Sequence, residues 1–217
     1  HQEARRQRQM CIRDRSTSSP LPVVLGVTGA SGAIYSRRLL HVLLSANCNV
    51  HLSVSPSGKA VFEQELGESI DLDNFSAEQF IGTATALPGR LTYHHYKNLM
   101  APIASGSFLT SAMVICPCSG STLSAVTHAM GDNLIHRAAE VHLKERRKLV
   151  VVPRESPLSL PQLRNMQALH EAGAIVLPAS PGFYHNAKTI DDLVNFVVAR
   201  ICDQLNIANE LVCRWGH

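Results

Sequence analysis

The stretch PVVLGVTGASGA, residues 22–33, decides the fold of this chain. A short apolar run, 22–27, enters the turn 28–32 and then a segment whose leucines fall on one helical face. A strand that reaches a helix through glycine, serine and threonine leaves backbone N–H groups free at a positive helix end, where a phosphate can bind. The glycine spacing matches neither GxGxxG nor a Walker A loop, so the turn alone favours a phosphate site and an empty tight turn about equally.

The same alternation of strand and helix continues along the chain. The further predicted strands are 50–55, 112–116, 149–152 and 174–177. The further predicted helices are 59–66, 119–130, 133–147, 160–171 and 189–205, the last with Thr189 as its N-cap. Pro117 and Pro153 are expected to end their strands, and residues 67–100 give no readable pattern. Short apolar strands between amphipathic helices predict a parallel sheet covered on both faces.

Composition and charge exclude several classes of protein. A chain of 217 residues with 45% hydrophobic and 17% charged residues can bury a core and is not disordered as a whole. The net charge of +3 comes from five arginines in residues 1–19, and the remaining 15 basic and 15 acidic residues cancel. A nucleic-acid binder carries its charge on the folded body, so that class is excluded. No apolar run approaches the roughly 20 residues of a membrane span.

Residues 1–19 are treated separately from the domain 20–217. They have no hydrophobic periodicity, and their arginine and serine content is shared with organelle transit peptides. A disordered or non-native tail is the favoured interpretation, and mitochondrial targeting is the weaker alternative. Six cysteines without a CxxC pair indicate reduced thiols and a cytoplasmic protein.

The candidate functional residues are sought at the ends of the predicted strands, because ligands of parallel sheets bind beyond the carboxyl ends of the strands. The charged pair Arg154–Glu155 follows a buried strand, which favours a functional role over a surface ion pair. The segment 105–107 offers hydroxyls and amides, although an ordinary polar loop explains it equally well. Cys116 and Cys118 are predicted to be buried thiols, and no metal is expected because no partner His or Cys pair has suitable spacing.

Taken together, six segments resemble the flavin prenyltransferases of the UbiX type. They are VTGASGA, the serine that ends VHLSVS, ASGSF, MVICPCS, NLIHRAAEVHLKERRKLVVVPRE and PGFYH, in the order of that family. The resemblance covers about residues 22–216. It implies a doubly wound, Rossmann-like or flavodoxin-like fold assembled as a homododecamer. It also implies that FMN and dimethylallyl phosphate bind between subunits and that the product, prenylated FMN, serves UbiD-type decarboxylases in ubiquinone or aromatic-acid metabolism.

The resemblance also implies roles for individual residues. The residues expected to bind FMN are Gly29, Ala30, Ser31, Ser55, Ser105, Gly106, Ser107, Phe108 and Arg137. Those expected to hold dimethylallyl phosphate are Lys144, Arg154, Tyr184 and Arg200. Those expected to handle protons are Ser31, Glu65 and Glu155. Leu99 departs from relatives that carry an aromatic residue there, and Trp215 is a further candidate near the substrate.

Three alternatives stay open at this point. An FMN-dependent cysteine-peptide decarboxylase of the same superfamily would use FMN as an oxidant, but it depends on a different, Asn-containing motif. A non-catalytic FMN-binding subunit would lack the cluster that holds the phosphate. An NAD(P) dehydrogenase is disfavoured because Ser55, not an acidic residue, closes the second strand.

Overall fold

A computed structural model describes residues 20–82 and 87–213 of the chain. The strands are β1 (Val23–Val27), β2 (Asn49–Val54), β3 (Arg90–Tyr93), β4 (Ala112–Cys118), β5 (Lys148–Pro153) and β6 (Ile175–Val176). The helices are α1 (Ala33–Ser45), α2 (Pro56–Leu66), α3 (Ala77–Ile81), α4 (Gly120–Thr127), α5 (Leu134–Lys144), α6 (Leu160–Glu171) and α7 (Ile190–Leu205). The tail 1–19 and Trp215 lie outside the described residues.

The six strands form one parallel sheet in the order β3-β2-β1-β4-β5-β6. The order reverses between β1 and β4, and a crevice for a ligand opens at such a switch point. The sheet confirms the predicted fold class.

Alternate residues of β1 supply the two halves of the core. Val23, Leu25 and Val27 pack with α1, α2, α3 and α7 on one face. Val24 packs with α4, α5 and α6 on the other face. Successive side chains of a strand point to opposite faces, so a strand covered on both sides must be apolar throughout, as β1 is.

The ends of α6 and α7 follow the sequence closely, whereas α2 begins three residues earlier than predicted and α4 and α5 end three residues earlier. Thr189 caps α7 by accepting a hydrogen bond from the backbone N–H of Asp192, whose carboxylate accepts one from the N–H of Thr189 in return. Helix α6 runs from Leu160 to Glu171 as predicted, and the chain leaves it through Gly173 at φ 101°. Among the described residues, no helix has the length and apolar character that crossing a membrane requires.

Three expectations were wrong. The segment 67–100 contains α3 and β3. Strand β4 does not stop at Pro117 but continues to Cys118, with a cis Cys116–Pro117 bond and a register shift against β5. Strand β5 likewise includes Pro153, whose carbonyl accepts from the N–H of Ala179. Proline removes only a donor, and near the end of a strand that donor is not needed.

Strand β3 enters the sheet because the chain passes very close to the loop between α1 and β2. The N–H of Gly89 donates to the carbonyl of Leu44 at 2.9 Å. A Cβ atom at Gly89 would lie 2.5 Å from the carbonyl oxygen of Cys48 and 2.7 Å from that of Leu44. Both obstacles are backbone atoms, which a side-chain rotation cannot move.

Gly89→Ala is therefore expected to destabilise the protein by roughly 1–3 kcal/mol, the usual cost of overpacking. The measurement is the midpoint of chemical unfolding. Gly131→Ala is the matched control, because its Cβ would meet at 3.1 Å only the flexible carboxylate of Glu140. Equal stability of the two variants would contradict the close approach at Gly89.

Candidate functional site

The turns after β1 and β4 are joined at the switch point of the sheet. The buried Thr28 hydroxyl donates to the carbonyl of Pro117 at 2.8 Å and accepts from the N–H of Ser119 at 2.9 Å. The Thr28 N–H also donates to the Pro117 carbonyl. This link fixes one wall of the crevice at the carboxyl edge of the sheet.

The turn after β2 forms the opposite wall. Ser55 caps α2, since its hydroxyl accepts from the N–H of Gly58 at 3.0 Å and lies 3.3 Å from the Ser57 hydroxyl. A Cβ at Gly29 would lie 2.4 Å from the Cβ of Ser57, so only glycine permits the two turns to approach this closely. The result is a cradle of hydroxyls and glycine backbone, which suits a phosphate ester such as that of FMN.

Glu65, near the end of α2, extends its carboxylate to the start of α1, next to the predicted serine. Its carboxylate accepts from the N–H of Gly32 at 2.9 Å and from that of Ala33 at 2.8 Å. The positive end of the helix stabilises a carboxylate in this position. The carboxylate of Glu65 is therefore held against Gly32, the residue that follows Ser31.

The charged pair after β5 reaches the same crevice. The Arg154 Nε donates to the carbonyl of Ser31 at 3.3 Å. The exposed carboxylate of Glu155 accepts from the N–H of Ser156 at 3.1 Å and from the side-chain amide of Gln162 at 3.2 Å. The structure thus gathers Ser31, Glu65, Arg154 and Glu155 at one edge.

The two thiols beneath the crevice are buried, as the sequence predicts. Burial, and the neighbouring Cys118, raise the pKa of Cys116 well above its usual range. Burial alone raises the pKa of Cys118 to about 12. Both thiols are neutral at physiological pH and act as apolar packing groups.

A second group of predicted residues lies at the opposite, amino edge of the sheet. The segment Ser105–Phe108 precedes β4, and Lys144 ends α5 just before β5. A Cβ at Gly106 would lie 3.1 Å from the Lys144 ammonium, so this segment and the helix end are in contact. Arg137 belongs to the same group, because its Nε donates to the carbonyl of Ala104 at 3.3 Å.

A third group lies along α7. The ring of Tyr184 packs edge-on against Phe196 at 5.6 Å between centroids, and His185 stacks on the same ring at 5.2 Å. Arg200 lies one turn further along the helix and forms an exposed ion pair with Asp203 at 2.9 Å. Phe196 and Arg200 line one cavity beside β6, so Tyr184 and Arg200 share a face of the molecule.

One chain does not bring the carboxyl-edge and amino-edge groups together. Lys144 precedes β5 and Arg154 follows it, so the strand itself separates them. At about 3.3 Å per residue, a strand of six residues holds its ends roughly 20 Å apart. The carboxyl-edge group and the amino-edge group can meet around one ligand only if they come from different copies.

Sequence reasoning missed several residues of the crevice. Thr28, Ser57, Tyr35 and Gln162 were not proposed for the site, although Ser57 touches Ser55 and Gln162 touches Glu155. Burial, followed by the charges of Cys116 and Glu65, raises the pKa of Tyr35. Its ring lies against Gly32, where a Cβ would approach it to 2.7 Å. The position of Thr28 and Ser57 in strand-end turns was the available signal; Gln162, on α6, gave none.

Comparisons with known proteins agree with this geometry. The family model named Flavoprotein matches residues 12–202. A flavin prenyltransferase UbiX from Alkalihalophilus pseudofirmus is 46% identical over 195 residues, which cover 89% of this chain and 96% of that protein.

Two solved structures extend the likeness to three dimensions. The crystal structure of AnUbiX (PadA1) with FMN and dimethylallyl pyrophosphate has a TM-score of 0.81 at 34% identity and covers 92% of this chain and 99% of its own. A dodecameric FMN-dependent UbiX-like decarboxylase from Escherichia coli O157:H7 has a TM-score of 0.79 at 38% identity and covers 91% and 100%. With its fold and nearly its whole length shared with these proteins, the chain belongs to the flavin prenyltransferase family of flavoproteins.

Proposed function

We propose that this protein transfers a dimethylallyl group from dimethylallyl phosphate to N5 and C6 of reduced FMN, which gives prenylated FMN. The contact between Arg154 and the Ser31 carbonyl carries the proposal, because it joins the guanidinium that we propose for the phosphate to the turn that we propose for the flavin. The solved relative that holds FMN and dimethylallyl pyrophosphate supports both ligands. The dodecameric relative supports a homo-oligomer, for which we propose a dodecamer.

The flavin would rest in the cradle at the carboxyl edge. Gly29, Ala30, Ser31 and Ser55 would hold it from one copy, and Ser105–Phe108 with Arg137 from another. Reduced FMN, when bound, supplies the nucleophilic N5 and C6 atoms for the two new bonds. The close approach of Gly29 to Ser57 and the exposed Ser105 and Ser107 hydroxyls fit such a ligand.

The departing phosphate needs cations and a proton. Lys144, Arg154 and Arg200, with the Tyr184 hydroxyl, would bind its oxygens as the carbon–oxygen bond breaks and the electron pair leaves with the phosphate. Glu155 would donate the proton to the leaving oxygen. Its exposed carboxylate, one residue from Arg154 and held by Gln162, is positioned for that role.

The second bond would use the electron pair of the prenyl double bond, whose other carbon takes up a proton, and a base would take the proton that the flavin ring loses. Ser31 and Glu65 would relay that proton, and the two backbone N–H groups that hold Glu65 keep its carboxylate beside Ser31. The protein would otherwise act by holding the allyl group against the flavin and by keeping water out. We further propose that the product passes to a UbiD-type decarboxylase and that the reaction is cytoplasmic.

The direct test is anaerobic incubation with FMN, a reductant and dimethylallyl phosphate, followed by the mass of the released flavin. A flavin heavier by one dimethylallyl group in place of a hydrogen is expected. The same incubation without dimethylallyl phosphate is the control. Unchanged flavin in both samples, with FMN bound, would favour the non-catalytic subunit.

Variants at Glu155 and Arg200 separate chemistry from donor binding. Glu155→Gln is expected to slow adduct formation by about 10²–10⁴-fold with FMN affinity retained, since it removes only a proton donor. Arg200→Ala is expected to raise the KM for dimethylallyl phosphate by roughly ten- to a hundredfold, because a charge-assisted hydrogen bond to the phosphate is lost.

The control for Arg200 is Asp203→Asn, which breaks the exposed ion pair but keeps the guanidinium. An exposed pair contributes at most about 1 kcal/mol, so this control is expected to behave like the wild type. If Arg200→Ala and Asp203→Asn change the KM equally, Arg200 serves only its ion pair.

Mixed oligomers test whether the site is shared between copies. Lys144→Ala alters the amino edge and Glu155→Gln the carboxyl edge, and each variant alone is expected to be nearly inactive. Co-assembled in equal amounts, they are expected to recover about a quarter of wild-type activity, because random mixing leaves that share of sites with both residues intact. Mixed oligomers no more active than the parents would show that each site lies within one chain.

A further inference from the structure

Arg147 lies in the turn between α5 and β5, and its side chain is half-buried against the segment Ser105–Phe108. Its Nη1 donates to the carbonyl of Phe108 at 2.8 Å. Its Nη2 donates to the carbonyl of Gly106. One planar guanidinium therefore binds the backbone carbonyls on both sides of Ser107.

These two hydrogen bonds leave the hydroxyl groups of Ser105 and Ser107 available to a ligand. Ser105 and Ser107 are exposed, and their hydroxyls lie 2.9 Å apart. The Ser107 N–H turns back to the Ser105 hydroxyl at 3.3 Å, so these contacts stay inside the segment and do not anchor it. The backbone of the segment is tied to the body of the protein by Arg147 and by the contact of Arg137 with Ala104, while the Phe108 side chain packs against the core.

Gly106 packs directly against side chains at the end of α5. A Cβ there would lie 2.2 Å from a carboxylate oxygen of Glu145, which pairs with Lys144 at 2.8 Å. Further along, the Thr110 hydroxyl lies 2.9 Å from the Nε2 of the buried His142. The end of α5 and the turn after it therefore pack against the segment, and Arg147 in that turn holds the two carbonyls by hydrogen bonds.

We propose that Arg147 is a positioning residue for flavin binding: it holds the backbone of Gly106 and Phe108 so that the exposed Ser105 and Ser107 are presented in one conformation to FMN. The inference rests on the proposed function, because it assigns this segment to the flavin. Arg147 does not touch the flavin itself in this arrangement; it acts through the two carbonyls. Lysine cannot replace it, because a single ammonium group lacks the two planar N–H groups that reach both carbonyls.

The test compares Arg147→Gln with Arg146→Gln. Both variants remove one positive charge from adjacent positions, but Arg146 is exposed and does not belong to the proposed site. FMN affinity is measured by fluorescence titration, with melting temperature and oligomer size recorded in parallel. Arg147→Gln is expected to weaken FMN binding by about tenfold or more, since two charge-assisted hydrogen bonds are lost, and Arg146→Gln to leave it unchanged.

Chemical rescue separates positioning from general stability. In Arg147→Ala, millimolar guanidinium is expected to restore FMN affinity, and methylammonium at the same concentration is expected to do so much less. The KM for FMN is expected to rise in Arg147→Lys while kcat at saturating FMN stays close to that of the wild type. Arg147→Lys also serves for the affinity comparison if the glutamine variant does not fold.

The outcomes distinguish this inference from the proposed function. Wild-type FMN affinity in Arg147→Gln or Arg147→Lys, while the wild-type protein binds FMN, overturns the role of Arg147 alone. A fall in melting temperature with unchanged FMN affinity also overturns it, because Arg147 would then be only structural. A wild-type protein that binds no FMN overturns both.

Discussion

The hydrogen bonds of one buried threonine hydroxyl organise the functional edge of this protein. Thr28 ties the turn after β1 to the end of β4, through the Pro117 carbonyl and the Ser119 N–H. These strands are neighbours in the sheet but lie far apart in the chain, and between them the strand order reverses. The link therefore sets the width of the crevice, and every other group at this edge is placed relative to it.

Small residues and the carboxylate of Glu65 complete the crevice. Gly29 lets the turn after β1 contact the turn after β2, where Ser55 and Ser57 cluster. Glu65 reaches from α2 to the start of α1 and takes the two N–H groups that an anion would otherwise find there. An internal carboxylate at a helix start steers a phosphate toward the remaining amides and the hydroxyls.

The parallel sheet also imposes the division of the site. Residues before and after a strand must lie at opposite edges, so Lys144 and Arg154 are far apart despite being ten positions apart in the chain. A site that needs both becomes a property of the assembly and not of the chain. Residues proposed for one ligand can therefore lie close together in the chain without forming a complete pocket in one copy.

The sequence by itself determined the strands β1, β4 and β5, because wholly apolar runs can be buried only between two helical layers, and it indicated β2 by the alternation of residues 50–55. It also determined the ends of α6 and α7, where Gly173, Thr189 and Asp192 act through local hydrogen bonds and backbone conformation. Candidate residues could be named from their motifs. These features depend on neighbours in the chain, which a sequence displays directly.

Only the tertiary structure decided the rest. Strand β3 is half-exposed and short, and it forms because the backbone of β2 pairs with it and Gly89 passes close to Leu44 and Cys48. Pro117 and Pro153 remain in their strands because the sheet does not require their missing donors. The hydrogen bonds of Arg147 to the carbonyls of Gly106 and Phe108 join residues about forty positions apart in the chain. Such contacts depend on how the layers pack, and no local pattern in the chain encodes them.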